Sequence, residues 1–328
     1  MTVYMKHTIL GACGSTAKAL AYQLLKDHHN EVRLVSQCEF WIPGTETFFS
    51  DLASCEEIEK CINGSDFVYL CAESLYLSKI IQELWLRIIR YSLNACRKIS
   101  AKLIYIDNSD IYGRNTAHLT EQTQYRTCTR IGKVLMEASL LLQKEMLLNN
   151  KSCLIARSSE IYGPFTNGNN FLNSNVICRL LKGENAMWFI DAEVSHSFTH
   201  SADMAKGVIL LSATESCYDQ LWHLPTSPPL SGETFIHMTS NILNIYPGYT
   251  VTSRGMMWLS GIFNKSHATH IDFIDKFETG VSFYSGKFNT FFNYTPVTYY
   301  IGIQETIEYL IQSGYPSTAV FSSQKEFC

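Results

Sequence analysis

The sequence predicts an α/β protein built on a doubly wound parallel sheet, and three observations predict it. The first is the junction TILGACGSTA at residues 8–17, where an apolar run passes through a glycine-rich turn into a helical pattern. The second is the alternation of short β-branched runs with longer helical patterns through the first 160 residues, the mark of right-handed βαβ units. The third is a change of texture after about residue 164, where Gly, Asn and Pro become frequent in PFTNGNN and HLPTSPPLSGE.

Taken in order, strands are expected at His7–Gly11, Glu31–Ser36, Thr47–Ser50, Asp66–Cys71, Lys102–Ile106 and Ser152–Ala156. Helices are expected at Thr16–His28, Ser54–Ile62, Ser78–Ile99, Arg130–Leu148 and Asn173–Lys182. Residues 1–164 then carry the sheet, and residues 165–328 form a mixed region whose smaller, irregular part covers the carboxyl ends of the strands, with 203–225 partly returning to the main domain.

The chain has 328 residues, 46% hydrophobic and 17% charged, which is ample material for a large core. Its formal net charge is -4 and it has no basic stripe, so nucleic acid is not an expected partner. No run reaches the roughly 18 uncharged apolar residues that a membrane helix needs. Residues 134–148 come nearest and are interrupted by Glu137, Lys144 and Glu145. The start, MTVYMKHTILGACG, enters a strand without the basic segment and apolar stretch of a secretory leader, so a cytoplasmic protein with no membrane partner is expected. The 11 cysteines are scattered, without a CxxC pair, and read as free thiols acting as small hydrophobes.

The glycine-rich junction carries the first chemistry. Gly11 permits the tight turn, Gly14 removes a Cβ where backbone must approach a diphosphate, and Ala17 is small enough for close helix packing. Cys13, Ser15 and Thr16 complete the loop, whose unpaired amides and positive helix end suit phosphate. A nicotinamide dinucleotide, NAD(P), is the ligand this context predicts. The second strand ends in Val35, Ser36 and Gln37, with neither an acid for the ribose hydroxyl nor an Arg for a 2′-phosphate, so NADP is slightly favoured over NAD. Asp51 and Leu52 after the third strand, and Cys71 and Ala72 after the fourth, are placed beside the adenosine; a helix cap and strand-end packing are their plainer roles.

The segments GACGSTA (11–17), GSDFVYLCA (64–72), KLIYIDNSDIYG (102–113), LIARSSEIYGP (154–164) and HSFTHSADMAKGV (196–208) together resemble the extended short-chain dehydrogenase/reductase superfamily in its NAD-dependent epimerase/dehydratase branch. The resemblance implies a Rossmann-type fold over residues 6–225, and a proton-exchanging Tyr four residues before a ribose-binding Lys, with a Ser or Thr polarising the substrate oxygen. The Lys matches Lys133, but Thr129 stands at the Tyr position and Asn108 at the Ser/Thr position. A threonine hydroxyl cannot serve as an acid or base near neutrality. A divergent subgroup of the family is similar at these points, which places the departures in a lineage.

Arg157 and Ser158 are expected on the cofactor side, with Arg157 closing the site floor or capping a strand end, and Tyr112, Arg130, Ser159, Glu160, His196 and Thr199 on the substrate side. Tyr112, Tyr125, Tyr162, Glu160 and Asp110 are the candidates for the missing proton carrier, with Tyr112 and Tyr162 expected to pack instead and Tyr125 to lie on the neighbouring loop. Arg126 and Arg130 are placed to hold an anionic substrate group. His196, His200 and Asp203 lack the ligand count of a metal site, Ser201 or Asp203 is expected to cap a helix, and no Gly-x-Ser-x-Gly elbow is present.

The expected function is therefore an NAD(P)-dependent oxidoreductase, epimerase or dehydratase with non-standard catalytic residues, acting on a small hydroxyl- or carbonyl-bearing molecule. The alternative is a non-catalytic NAD(P)-binding sensor or regulatory protein. By analogy of fold, the two long helices Ser78–Ile99 and Arg130–Leu148 suit a homodimer interface.

Overall fold

A computed structural model describes residues 4–38, 41–73, 79–113, 118–127, 129–148, 150–166, 170–246, 248–256 and 277–317. Ser78, Cys128 and Cys328 lie outside them.

The central sheet contains strands β1 (Met5–Leu10), β2 (Asn30–Ser36), β3 (Thr45–Phe49), β4 (Phe67–Cys71), β5 (Lys102–Asn108), β6 (Cys153–Ser158) and β7 (Leu221–His223). Their order is β7-β6-β5-β4-β1-β2-β3, all parallel, with the order reversing at β1 and β4. Every residue of β6 and all but the ends of β5 are buried, as expected of strands covered on both faces. β5 and β6 run two residues beyond the predicted ends, to Asn108 and Ser158, which carries polar residues to the ligand-binding rim. β7 was not predicted: three residues give no readable period, and only pairing with β6 makes them a strand.

Helices α1 (Ser15–Leu24), α2 (Cys55–Ile62), α3 (Lys79–Ile99), α4 (Arg130–Met146), α5 (Cys178–Leu181), α6 (Ser201–Ser212), α7 (Gly232–Leu243), α8 (Gly286–Phe292) and α9 (Tyr299–Gln312) surround it. The helix expected at Asn173–Lys182 opens instead as a π-helical turn over Asn173–Ile177 before α5.

One face of the sheet is covered by α1 and α6. Ala17, Ala19 and Ala21 let α1 approach closely, beside Met204, Ala205 and Val208 of α6. The other face is covered by α3 and α4 through Trp85, Ile88, Ile89, Leu135 and Leu142. A separate aromatic core of Phe171, Trp188, Phe235 and Tyr299 holds the C-terminal part, where a buried Phe contributes about 1.5–3 kcal/mol. Asp203 does not cap α6. Its carboxylate accepts from Tyr294 Oη at 2.7 Å and from the Val297 amide at 2.8 Å, tying the tail to the main domain. The nine described cysteines are all free, and no helix among the described residues is long and apolar enough to cross a membrane.

Candidate active site

β1 delivers Gly11 to the rim, where it turns at φ +80°, and the Gly11 and Ala12 amides both donate to Val35 O at the end of β2. The chain then enters α1 with Gly14 as its extended N-cap residue. The unpaired amides that follow hold a carboxylate. Ser15 N and Oγ donate to Glu73 Oε1 at 3.0 and 2.6 Å, and Thr16 N donates to Glu73 Oε2 at 2.8 Å. Glu73 gets there because β4 lies beside β1, and Glu73 follows β4 by two residues. A Cβ on Gly14 would stand 2.4 Å from Glu73 Oε2, so the close approach that demands glycine is realised here by a carboxylate. The loop is thus an anion cradle in fact, formed by a helix N-terminus and its dipole.

Around it, Ser36 Oγ, buried at the end of β2, contacts Cys13 Sγ at 2.7 Å and bonds the Cys38 amide and carbonyl. Gln37 Nε2 donates to Asp51 O at 3.2 Å, which ties the ends of β2 and β3 together. Asp51 Oδ1 accepts from Ala53 N, and Leu52 takes φ +58° with its side chain in the core. Cys71 and Ala72 also bury their side chains in the core clusters, so Leu52, Cys71 and Ala72 reach the rim through backbone alone.

At the end of β5, Asn108 Oδ1 accepts from Asp110 N at 3.0 Å and caps the 3-10 turn Ser109–Tyr112. Thr129 caps α4, its hydroxyl accepting from Gly132 N at 2.9 Å. Lys133 stands exposed one turn further along α4. Of the expected proton carriers, Tyr125 Oη is bonded to Ser139 Oγ at 2.9 Å and to Gln143 Nε2 at 2.7 Å. Tyr162 is fully buried. Glu160 is half-buried just past β6, in register with Phe198. Burial, with Glu73 as a like-charged neighbour, pushes its carboxyl up to about 7.

Several expected ligand contacts prove internal. Arg157 is fully buried in a two-pronged ion pair with Asp107 (2.7 and 2.8 Å) and also donates to Tyr112 Oη and Ser139 Oγ, leaving nothing for a cofactor. Ser158 is buried with its hydroxyl toward Asp107 O. Tyr112 is closed off between Arg157 and His223 Nε2, at 2.6 Å from the latter. Ser159 Oγ donates to Ser197 O, and Thr199 Oγ1 accepts from Ser159 N and pairs with Thr226 Oγ1. His196 is buried among the rings of Trp188, Phe198 and Phe277. Arg130 is exposed and sits 3.4 Å from Glu83. Arg157, Ser158, Tyr112, Ser159 and Thr199 are thus buried polar residues whose partners lie within the protein. Among the described residues no cluster of His, Cys, Asp or Glu could hold a metal.

Sequence reasoning missed Glu73, Asp107 and His223. An acid directly beyond the strand next to the glycine loop was the signal available for Glu73. Asp107 faces Arg157 only through the β5–β6 register, which no local pattern reveals.

A parallel sheet reversing at its centre, with a glycine loop opening α1 at that point, defines a Rossmann-like α/β protein. Residues 7–218 match the model of the NAD dependent epimerase/dehydratase family, and the chain belongs to that family. Among solved structures, UDP-glucuronic acid 4-epimerase from Bacillus cereus in complex with NAD aligns over 94% of this chain and 99% of its own at 17% identity, TM-score 0.73. The dTDP-glucose 4,6-dehydratase of Bacillus anthracis, also solved with NAD, aligns over 94% and 97% at 12% identity, TM-score 0.76. A nucleoside-diphosphate-sugar epimerase from Pseudomonas aeruginosa aligns over 95% and 99% at 13% identity, TM-score 0.72. At such identities the likeness is one of fold. No curated protein sequence matches the chain.

Proposed function

We propose that the chain binds NAD(P) across the carboxyl ends of β1, β2 and β4 and works as an epimerase, dehydratase or reductase on a hydroxyl- or carbonyl-bearing sugar nucleotide or similar small molecule. The observation that carries this reading is the carboxylate held by the Ser15 and Thr16 amides, an internal stand-in for a phosphate. The family and the sugar-nucleotide enzymes among the solved structures support turnover over a non-catalytic sensor.

Gly11, Cys13, Gly14, Ser15, Thr16 and Ala17 would hold the diphosphate, Ser36 and Gln37 the adenosine ribose, and Lys133 the nicotinamide ribose. The missing acid after β2 favours NADP slightly. When bound, the nicotinamide supplies hydride exchange. Asn108 would orient the substrate oxygen. Thr129 is committed to its cap, so Glu160, with its carboxyl pushed up to about 7, is the group suited to move the proton.

Titration calorimetry with NAD, NADH, NADP and NADPH tests the binding. Gly14→Asp sets a fixed carboxylate on the cradle, and affinity is expected to fall about a hundredfold, or about 2.8 kcal/mol. Dinucleotide affinity unchanged by this substitution, or absent from the wild-type chain, refutes the reading. Turnover is assayed with UDP-glucuronic acid, UDP-glucose and dTDP-glucose. Glu160→Gln should abolish it while cofactor binding persists, and retention of full turnover removes Glu160 from the role.

A further inference from the structure

We infer that Glu73 is a built-in competitor for the diphosphate cradle, which a dinucleotide must displace, so that this one side chain sets the apparent cofactor affinity. The inference rests on the proposed function and concerns regulation of that same site.

Glu73 makes three hydrogen bonds there, to two backbone amides and one hydroxyl, at 2.6 to 3.0 Å. These amides are the unpaired donors at the start of α1, which a diphosphate oxygen would need. One donor set cannot serve both anions, and two anions at one helix end would repel. The space is also shared: the carboxyl group fills the volume left by the missing Cβ of Gly14. Its three bonds all come from the first residues of α1, so the helix end answers its charge.

The second anion nearby is Glu160, whose carboxyl feels Glu73 as a like charge. The hold comes from the cradle, and release into solvent would relieve that repulsion.

A binding-competent state populated only when Glu73 is out reduces the observed affinity by the fraction of time it is out. If Glu73 is docked nine-tenths of the time or more, its removal tightens binding about tenfold or more. Glu73→Ala and Glu73→Gln are compared with wild type by calorimetric titration of NAD and NADP, with thermal unfolding of each apo protein alongside. The glutamine keeps the shape and loses the charge, so it guards against a folding defect in the alanine variant.

The expected result pairs opposite changes: a lower melting temperature without ligand, because the α1 amides lose their acceptor, and at least about tenfold tighter cofactor binding. A merely structural Glu73 would lower the melting temperature and leave affinity where it was. Equal or weaker affinity in both variants overturns the inference while leaving the cofactor reading intact. If neither wild type nor either variant binds any dinucleotide, the cofactor reading falls, and the inference with it.

Discussion

Replacing Arg157 with leucine is expected to destabilise the protein by about 3–5 kcal/mol, a large share of the roughly 5–15 kcal/mol typical of a folded chain. The physical reason is the position of its partner. Asp107 and Arg157 face each other in register on β5 and β6, and neither side chain is exposed. Burial works against the charge on Arg157, but the Asp107 carboxylate together with Tyr112 and Tyr125 outweighs it and holds the guanidinium protonated. Removing Arg157 leaves Asp107 in the interior without its counter-ion, and strips Tyr112 and Ser139 of a donor. Urea unfolding of Arg157→Leu and of the double variant with Asp107→Leu measures this. The double variant should regain much of the loss, because an apolar pair of similar volume replaces a buried ion pair at little net cost. A single variant within about 1 kcal/mol of wild type contradicts the ion pair as the fastener of these strands.

Acidification should reveal two opposed sets of buried groups. Burial lowers His196 and His200 to about 4 and His223 to about 3. Neutral His223 fits its bonds, with Nδ1 donating to Tyr284 O at 2.8 Å and Nε2 accepting from Tyr112. Their unfolded values lie near 6.5. Stability from these histidines is complete above about pH 6.5 and is lost as pH falls toward about 4, because the unfolded chain takes up protons that the fold refuses. Between about pH 7 and about pH 5 the three withdraw about 6 kcal/mol, at about 1.36 kcal/mol per unit for each.

Glu160 and Asp203 act in the other direction. Burial raises them to about 7 and about 6, so the fold binds their protons before the unfolded chain does, and falling pH favours the native state. They return more than half of what the histidines withdraw, for a net loss of about 2 kcal/mol over the interval. Glu160→Gln removes one returning group and should about double that loss. Urea midpoints at three pH values decide the matter; a wild-type stability that is flat or rises toward pH 5 would sink the account.

Much of the fold was legible locally. The six long strands and the helices between them announce themselves by apolar runs and caps, such as Ser54 accepting from Glu57 N at the start of α2. The glycine loop was legible too, because a tight turn and a close backbone approach can be satisfied by few residue types. The end of the candidate site around Asn108 and Thr129 was harder to read. Thr129 looked like a vacancy in a catalytic pair, and it is a helix cap.

The amino-acid sequence by itself determined the fold class, the anion cradle at Gly11–Ala17 and the position of Lys133, since these depend on periodicity and on backbone freedom along a few consecutive residues. Only the tertiary structure decided that Leu221–His223 closes the sheet, that Arg157 serves Asp107 rather than a ligand, and that Glu73 sits in the cradle. Each of these joins residues far apart in the chain, and desolvation forces such polar groups to find partners that only strand register and packing bring within reach.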